Sequence, residues 1–210
     1  MFMHDLEHTG ESKDVVKPPL EKVWEYETGD KVWSSPTISG EYLYIGSNDK
    51  KIYCLNKYTG KKVWEYETGD SIFSSPAISG EYLYVGSDDH KVHCLNKNTG
   101  EKVWDYNTGS RIYSSPAISG DYVYIESDKV YCLDKRTGKK IWEYETRGWV
   151  ESSPAISGDY VYIGSNDLRC FPYHGNVYCL NRFTGKKVWE YETDDSINSS
   201  PAISGDYVYI

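Results

Sequence analysis

A Thr-Gly-x-x-x-Trp signature returns along the chain about every 40 residues, and this recurrence restricts the fold more than any other feature. It is complete at Thr59 and Trp64, Thr99 and Trp104, Thr137 and Trp142, and Thr184 and Trp189, and its last part survives as Leu20-Glu21-Lys22-Val23-Trp24. The Trp-to-Trp steps are 40, 40, 38 and 47 residues. The repeating units are 21–60, 61–100, 101–138 and 139–185, with a partial fifth at 186–210. Periods near 40 with several strands and turns per unit predict propeller blades.

Each unit divides into four short strands. In the second, residues 63–68, 71–78, 81–86 and 91–95 are strands, and Thr68-Gly69-Asp70, Ser79-Gly80 and Asn96-Lys97-Asn98-Thr99-Gly100 are among the turns between them. Trp64 and Tyr66 alternate with Glu65 and Glu67, so one face is aromatic and the other acidic. By contrast, Tyr82-Leu83-Tyr84-Val85 is apolar on both faces, as a strand between packed layers must be. Pro36, Pro76, Pro116, Pro154 and Pro201 fall in the second strand of their units. Proline cannot donate to a ladder, which makes that strand an edge, and the innermost one of a ring. Nothing reads as helix.

Composition narrows the function classes. The net charge of −9 argues against nucleic acid and against anionic lipid as partners, since both call for a basic surface. No segment approaches the roughly 20 apolar residues of a membrane span. Met1-Phe2-Met3-His4-Asp5-Leu6-Glu7 lacks the basic and apolar regions of a secretory signal. Cys54, Cys94, Cys132 and Cys179 take equivalent places in successive units, each before a Leu, and are expected to be small buried hydrophobes. Reduced thiols and the absence of a signal fit a cytoplasmic protein. Residues 1–19 form a polar arm or a degraded strand, because Leu6-Glu7-His8-Thr9-Gly10 echoes Leu55-Asn56-Lys57-Tyr58-Thr59-Gly60. Residues 20–210 form the propeller.

Tyr53-Cys54-Leu55-Asn56-Lys57-Tyr58-Thr59-Gly60-Lys61-Lys62-Val63-Trp64 resembles the tryptophan-docking motif of the PQQ-like repeat β-propellers, whose pattern is Ala-x-Asp-x-x-Thr-Gly-x-x-x-Trp. The four cysteines stand at the family's Ala, and Asn56, Asn96, Asp134 and Asn181 at its Asp. The resemblance implies that Trp24, Trp64, Trp104, Trp142 and Trp189 each dock against a neighbouring blade. It agrees with elementary packing, since a single blade cannot bury both of its faces. The strand inventory predicts an all-β propeller of five four-stranded blades. One blade would be shared between the N- and C-terminal strands, with residues 2–6 as its missing strand, leaving no free edge. The rival arrangement is part of a seven- or eight-bladed ring.

Quinoprotein dehydrogenases of this family hold their quinone beside two adjacent cysteines and a calcium ion. This chain has no adjacent cysteines. A non-enzymatic member with no cofactor and no metal is therefore expected. His90 and His93 beside Asp88 and Asp89 could be drawn as a metal site, as could Cys170 and His174, but neither set offers a clear third ligand.

The places where the units disagree point elsewhere. Val32, Ile72, Ile112, Val150 and Ile197 are equivalent hydrophobes at the start of the inner strand. The residues before them are Lys31, Ser71, Arg111, Trp149 and Ser196, and those after them Trp33, Phe73, Tyr113, Glu151 and Asn198. A period of two sets both groups on the face opposite the buried hydrophobe, at the mouth of the central channel. The insertion 168–175 emerges on the same side. Lys31, Trp33, Phe73, Arg111, Tyr113, Trp149, Glu151 and Asn198 are the expected binding residues, aromatics flanked by a few charges. The leading expectation is a non-catalytic scaffold that engages a protein or peptide. The alternatives are a lectin-like ring for glycans or small molecules, a quinone-dependent dehydrogenase fragment, and a designed or truncated repeat array.

Overall fold

The computed structural model describes residues 18–148, 152–167 and 174–210. The expectations for the strand at 2–6, for Trp149, Val150 and Glu151, and for Cys170 lie outside the described residues. The architecture is all-β, built of antiparallel sheets that each run in simple chain order. The first sheet holds β1 (Thr37–Ser39), β2 (Tyr42–Gly46), β3 (Lys51–Asn56) and β4 (Lys62–Glu67). The second holds β5 (Ala77–Ser79), β6 (Tyr82–Gly86), β7 (Lys91–Asn96) and β8 (Lys102–Asn107). The third holds β9 (Ala117–Ser119), β10 (Tyr122–Glu126), β11 (Lys129–Asp134) and β12 (Lys140–Glu145). The fourth holds β13 (Ala155–Ser157), β14 (Tyr160–Asp167), β15 (His174–Asn181) and β16 (Lys187–Thr193). A fifth sheet pairs β17 (Ala202–Ser204) with β18 (Tyr207–Tyr209). The first strand of each sheet meets the first strand of the next, as around an axis.

The signature motif forms the outer hairpin of each blade. Asn56 Oδ1 accepts from the amides of Tyr58 and Thr59 and from Thr59 Oγ1, which winds the chain into a tight turn. Gly60 completes that turn at φ +68°. The register then slips between Cys54 and Leu55, so that Cys54 faces Trp64 while Leu55 faces Lys62. This bulge leaves Val63 exposed and sends Trp64 towards the next blade. There Trp64 Nε1 donates to Lys97 O at 3.0 Å, and its ring covers Gly100. Trp24, Trp104 and Trp142 make the same contact with Lys57 O, Lys135 O and Arg182 O. A side chain on the turn glycine would collide with the indole, so this glycine is required both for its φ and for the docking.

Two of these carbonyls take a second donor. Tyr84 Oη also bonds Lys135 O, and Tyr124 Oη also bonds Arg182 O, at 2.9 and 3.1 Å. Burial of the tyrosine and tryptophan bodies with their polar tips satisfied is the main cross-blade adhesive. Nearer the axis, the Ser-Ser-Pro triplets add a second set of links. The amides of Ser35, Ser75, Ser115 and Ser153 donate to the hydroxyls of Ser75, Ser115, Ser153 and Ser200, at 2.8–2.9 Å.

Three expectations change in detail. The inner strand is only three residues long and begins after the proline; residues 71–76 lie outside any ladder. Trp189 is 39% exposed, because the sheet after it has two strands and lacks the turn that receives the other tryptophans. The blade shared between the two ends is not closed among the described residues. Residues 20–27 occupy the outer-strand place before the first sheet, with Trp24 docked, but β18 pairs with β17 alone. Tyr209 is accordingly 56% exposed, where its counterpart Tyr44 is fully buried. Four complete sheets, the two-stranded fifth and this outer segment are consistent with five blades.

Candidate functional site at the channel mouth

The mouth is built from the segments that enter the inner strands and from the loops between the second and third strands. The loops at 47–50 and 87–90 are each fastened to two entry segments. Asn48 N donates to Lys31 O of its own blade, and Ile72 N of the next blade donates to Ser47 O. One blade further on, Asp88 N bonds Ser71 O, and Ile112 N bonds Ser87 O. Ile72, Ile112 and Ile197 are buried, and Ile72 and Ile112 press onto Gly46 and Gly86 of the preceding blades. Because that hydrophobe is anchored, its neighbours Ser71, Phe73, Arg111 and Tyr113 turn away from it and are half-buried or exposed even without a strand ladder. Val32, at 42% exposure, is the exception among the described residues.

Of the expected binding residues, Phe73, Arg111 and Tyr113 come together. The Phe73 and Tyr113 rings meet edge-on with centroids 5.4 Å apart, and Arg111 Nη1 donates to Tyr113 Oη at 3.4 Å. Both rings are half-buried. Trp33 lies one blade earlier, 66% exposed and outside that ring pair, beside the exposed Lys31. Asn198 is exposed on the fifth unit, where its Oδ1 receives Asn166 Nδ2 at 3.4 Å. Burial pushes the Asp88 carboxyl up, and the charge of Arg111 partly draws it back. Trp149 and Glu151 belong to the same equivalent set by sequence alone.

The histidines of the second unit have a structural explanation. His93 Nε2 meets Asp89 Oδ2 at 2.9 Å, in the place where Tyr53 Oη meets Asp49 Oδ2 at 2.6 Å and Tyr131 Oη meets Asp128 Oδ1 at 3.0 Å. The carboxylate of Asp89 also accepts the amides of Gly69 and Lys91 and so pins two turns. His90 is at φ +71°, as Lys50 is at +73° in the first unit. His174 lies near Thr193 O at 3.4 Å.

Known proteins share this fold. Residues 130–210 match the model described as outer membrane protein assembly factor BamB, and residues 34–53 match the LVIVD repeat. No curated protein sequence matches the chain significantly. Among solved structures, BamB from Moraxella catarrhalis superposes with a TM-score of 0.63 and 22% identity, over 88% of this chain and 72% of that one. The chain has the β-propeller fold, and over residues 130–210 it is similar to a family of PQQ-like repeats. The quinohemoprotein alcohol dehydrogenase ADHIIG from Pseudomonas putida HK5 is similar at a TM-score of 0.70 and 18% identity, over 80% of this propeller and 35% of the enzyme. The computationally designed Ika8 protein is similar at 0.72 and 15%, over 82% and 53% respectively. The propeller thus spans about a third of the dehydrogenase and about half of the designed protein. Its fold is shared by an assembly factor and by dehydrogenases, so activity has to be argued from the site.

Two features of the propeller escaped sequence reasoning. The Ser-Ser-Pro triplets were visible as repeats, but their blade-to-blade hydrogen bonds depend on ring geometry. Glu126 stands where Gly46, Gly86 and Gly164 stand in the other units, a departure readable by aligning the units with one another.

Proposed function

We propose that this propeller is a non-catalytic scaffold that engages a protein or peptide through its channel mouth. The observation that carries the proposal is the Phe73–Tyr113 ring pair with Arg111 against it, half-exposed at positions where otherwise similar repeats diverge. Aromatic and arginine side chains on a rigid rim are the residues that dominate protein interfaces, because they supply large contact areas at small entropic cost. The likeness of residues 130–210 to an assembly factor supports the same reading. A photo-reactive amino acid at position 113 tests it. The expected result is a crosslinked protein that unlabelled propeller competes away; labelling of glycans on an array, with no competed protein, supports the lectin-like alternative instead. Quinone-dependent dye reduction by the purified chain would sink the non-catalytic reading outright.

A further inference from the structure

Glu126 departs most sharply from the repeat. Its counterparts Gly46, Gly86 and Gly164 leave no room for a side chain, since a β-carbon there would lie 2.3–2.7 Å from Cγ2 of the next unit's isoleucine. In the third blade the residue is a glutamate, fully buried, and the hydrophobe of the following unit is Val150, one methylene smaller.

Hydrogen-bond counting indicates its protonation state. Ser152 Oγ accepts Gly164 N at 3.0 Å and has two acceptors in reach, Gly164 O at 2.9 Å and Glu126 Oε2 at 3.0 Å. Its hydroxyl has one proton. The equivalent Ser34 and Ser114 place theirs on the carbonyls of Gly46 and Glu126 while accepting the amides of the same residues. With the Ser152 proton placed likewise on Gly164 O, the contact to Glu126 is completed by a proton on Oε2 donating to Ser152 Oγ. The other oxygen, Oε1, is buried with no hydrogen-bond partner, which an ionised carboxylate tolerates poorly.

No described charge compensates an ionised Glu126. Among the described residues its hydrogen-bond partners are Ser114 and Ser152, and Val130 stands opposite in β11. The ionisable residues on the elements around it are engaged elsewhere: Arg111 with Tyr113, Asp128 with Tyr131, Lys129 with Glu143, and Arg147 with Glu190 and Glu192.

We propose that Glu126 is a proton-holding acid that ties the entry of the fourth blade to the third, so that this junction loosens as pH rises. Burial pushes its carboxyl well above the ordinary range. The linked stability is complete below the unfolded value of 4.5 and is lost as pH climbs towards the folded value. The proton acts through Ser152 Oγ, which is bonded in turn to Gly164 of the fourth blade.

Denaturant unfolding of the wild type and Glu126→Gln at about pH 5 and about pH 9 tests the proposal. Glutamine keeps the shape and cannot ionise. The wild type should lose at least about tenfold in its folding equilibrium relative to the variant across that interval, tenfold being the effect of one unit of displacement. Parallel profiles would overturn the proposal. If Glu126→Gln does not fold, Glu126→Gly, which restores the residue of the other three blades, serves as the reference. In either case, infrared spectra of the wild type at neutral pH should show a protonated-carboxyl stretch that is absent from the variant. An identical carboxyl region in both would also overturn the assignment.

Discussion

The ring of Trp104 lies so close to Gly138 that a β-carbon at 138 would sit 2.6 Å from Cε3 of the indole. Gly138 is also at φ +69°, so alanine there meets both backbone strain and a collision. Gly120 is at φ +61° with open space around it and offers the control. Gly120→Ala should cost about 1 kcal/mol through the left-handed backbone alone. Gly138→Ala should cost about 3 kcal/mol, since it also displaces a packed indole. Urea midpoints of the two variants would give the difference, and equal costs would contradict the docking role of the turn glycine.

The tryptophans are not equivalent. All three pack on a tyrosine of their own sheet, but Trp104 and Trp142 are 8% exposed with their Nε1 groups bonded across the blade boundary, whereas Trp189 is 39% exposed. Trp104→Ala should destabilise by about 3–5 kcal/mol, the range for removing a buried tryptophan. Trp189→Ala should cost well under half of that, measured by the same unfolding curves.

The pair of His93 and Asp89 makes a pH prediction of opposite sign to that of Glu126. Burial alone would raise the Asp89 carboxyl, but the His93 contact and the Gly69 and Lys91 amides hold it down at about 2. The stabilisation is therefore present above the unfolded value of 3.8 and lost as pH falls through about 2. Asp89→Asn should cost about 2 kcal/mol at neutral pH and remove most of that acid-dependent loss. His93→Tyr, which recreates the Tyr53–Asp49 arrangement, should fold with little loss.

The thiols of Cys54, Cys94 and Cys132 are buried opposite tryptophans, and burial pushes each up to about 12. The thiolate is the reactive form, so these cysteines should resist alkylation at neutral pH until the chain is unfolded. Peptide mapping after iodoacetamide treatment with and without denaturant checks this, and labelling of the native chain at these positions would contradict the packing.

Most of the fold was legible because each unit repeats the same solution: an Asn or Asp to wind the turn, a Gly to cross it, and a Trp to lie on the next turn. The period-two pattern also placed Phe73 and Tyr113 on the solvent side of Ile72 and Ile112 although no strand forms there, because the anchored isoleucine fixes the alternation. Three things were not legible. The inner strand shrank to three residues because the stretch before its proline bonds to neighbouring loops and to serine hydroxyls instead of a ladder. The fate of the terminal strands depends on how neighbouring blades are set around the axis, which no local pattern encodes. The third is the contact His93 makes: the repeat put it where Tyr53 and Tyr131 stand, but its bond to Asp89 depends on how the loop folds back over the strand.

On the proposed function, agreement between the repeats serves stability, and the disagreement at Trp33, Phe73 and Tyr113 serves recognition. The most direct test is the combined substitution of Trp33, Phe73 and Tyr113 with Ala, followed by measurement of binding to the crosslinked partner together with the melting temperature. Loss of binding with folding largely retained is the predicted result. Undiminished binding by a folded triple variant would contradict it.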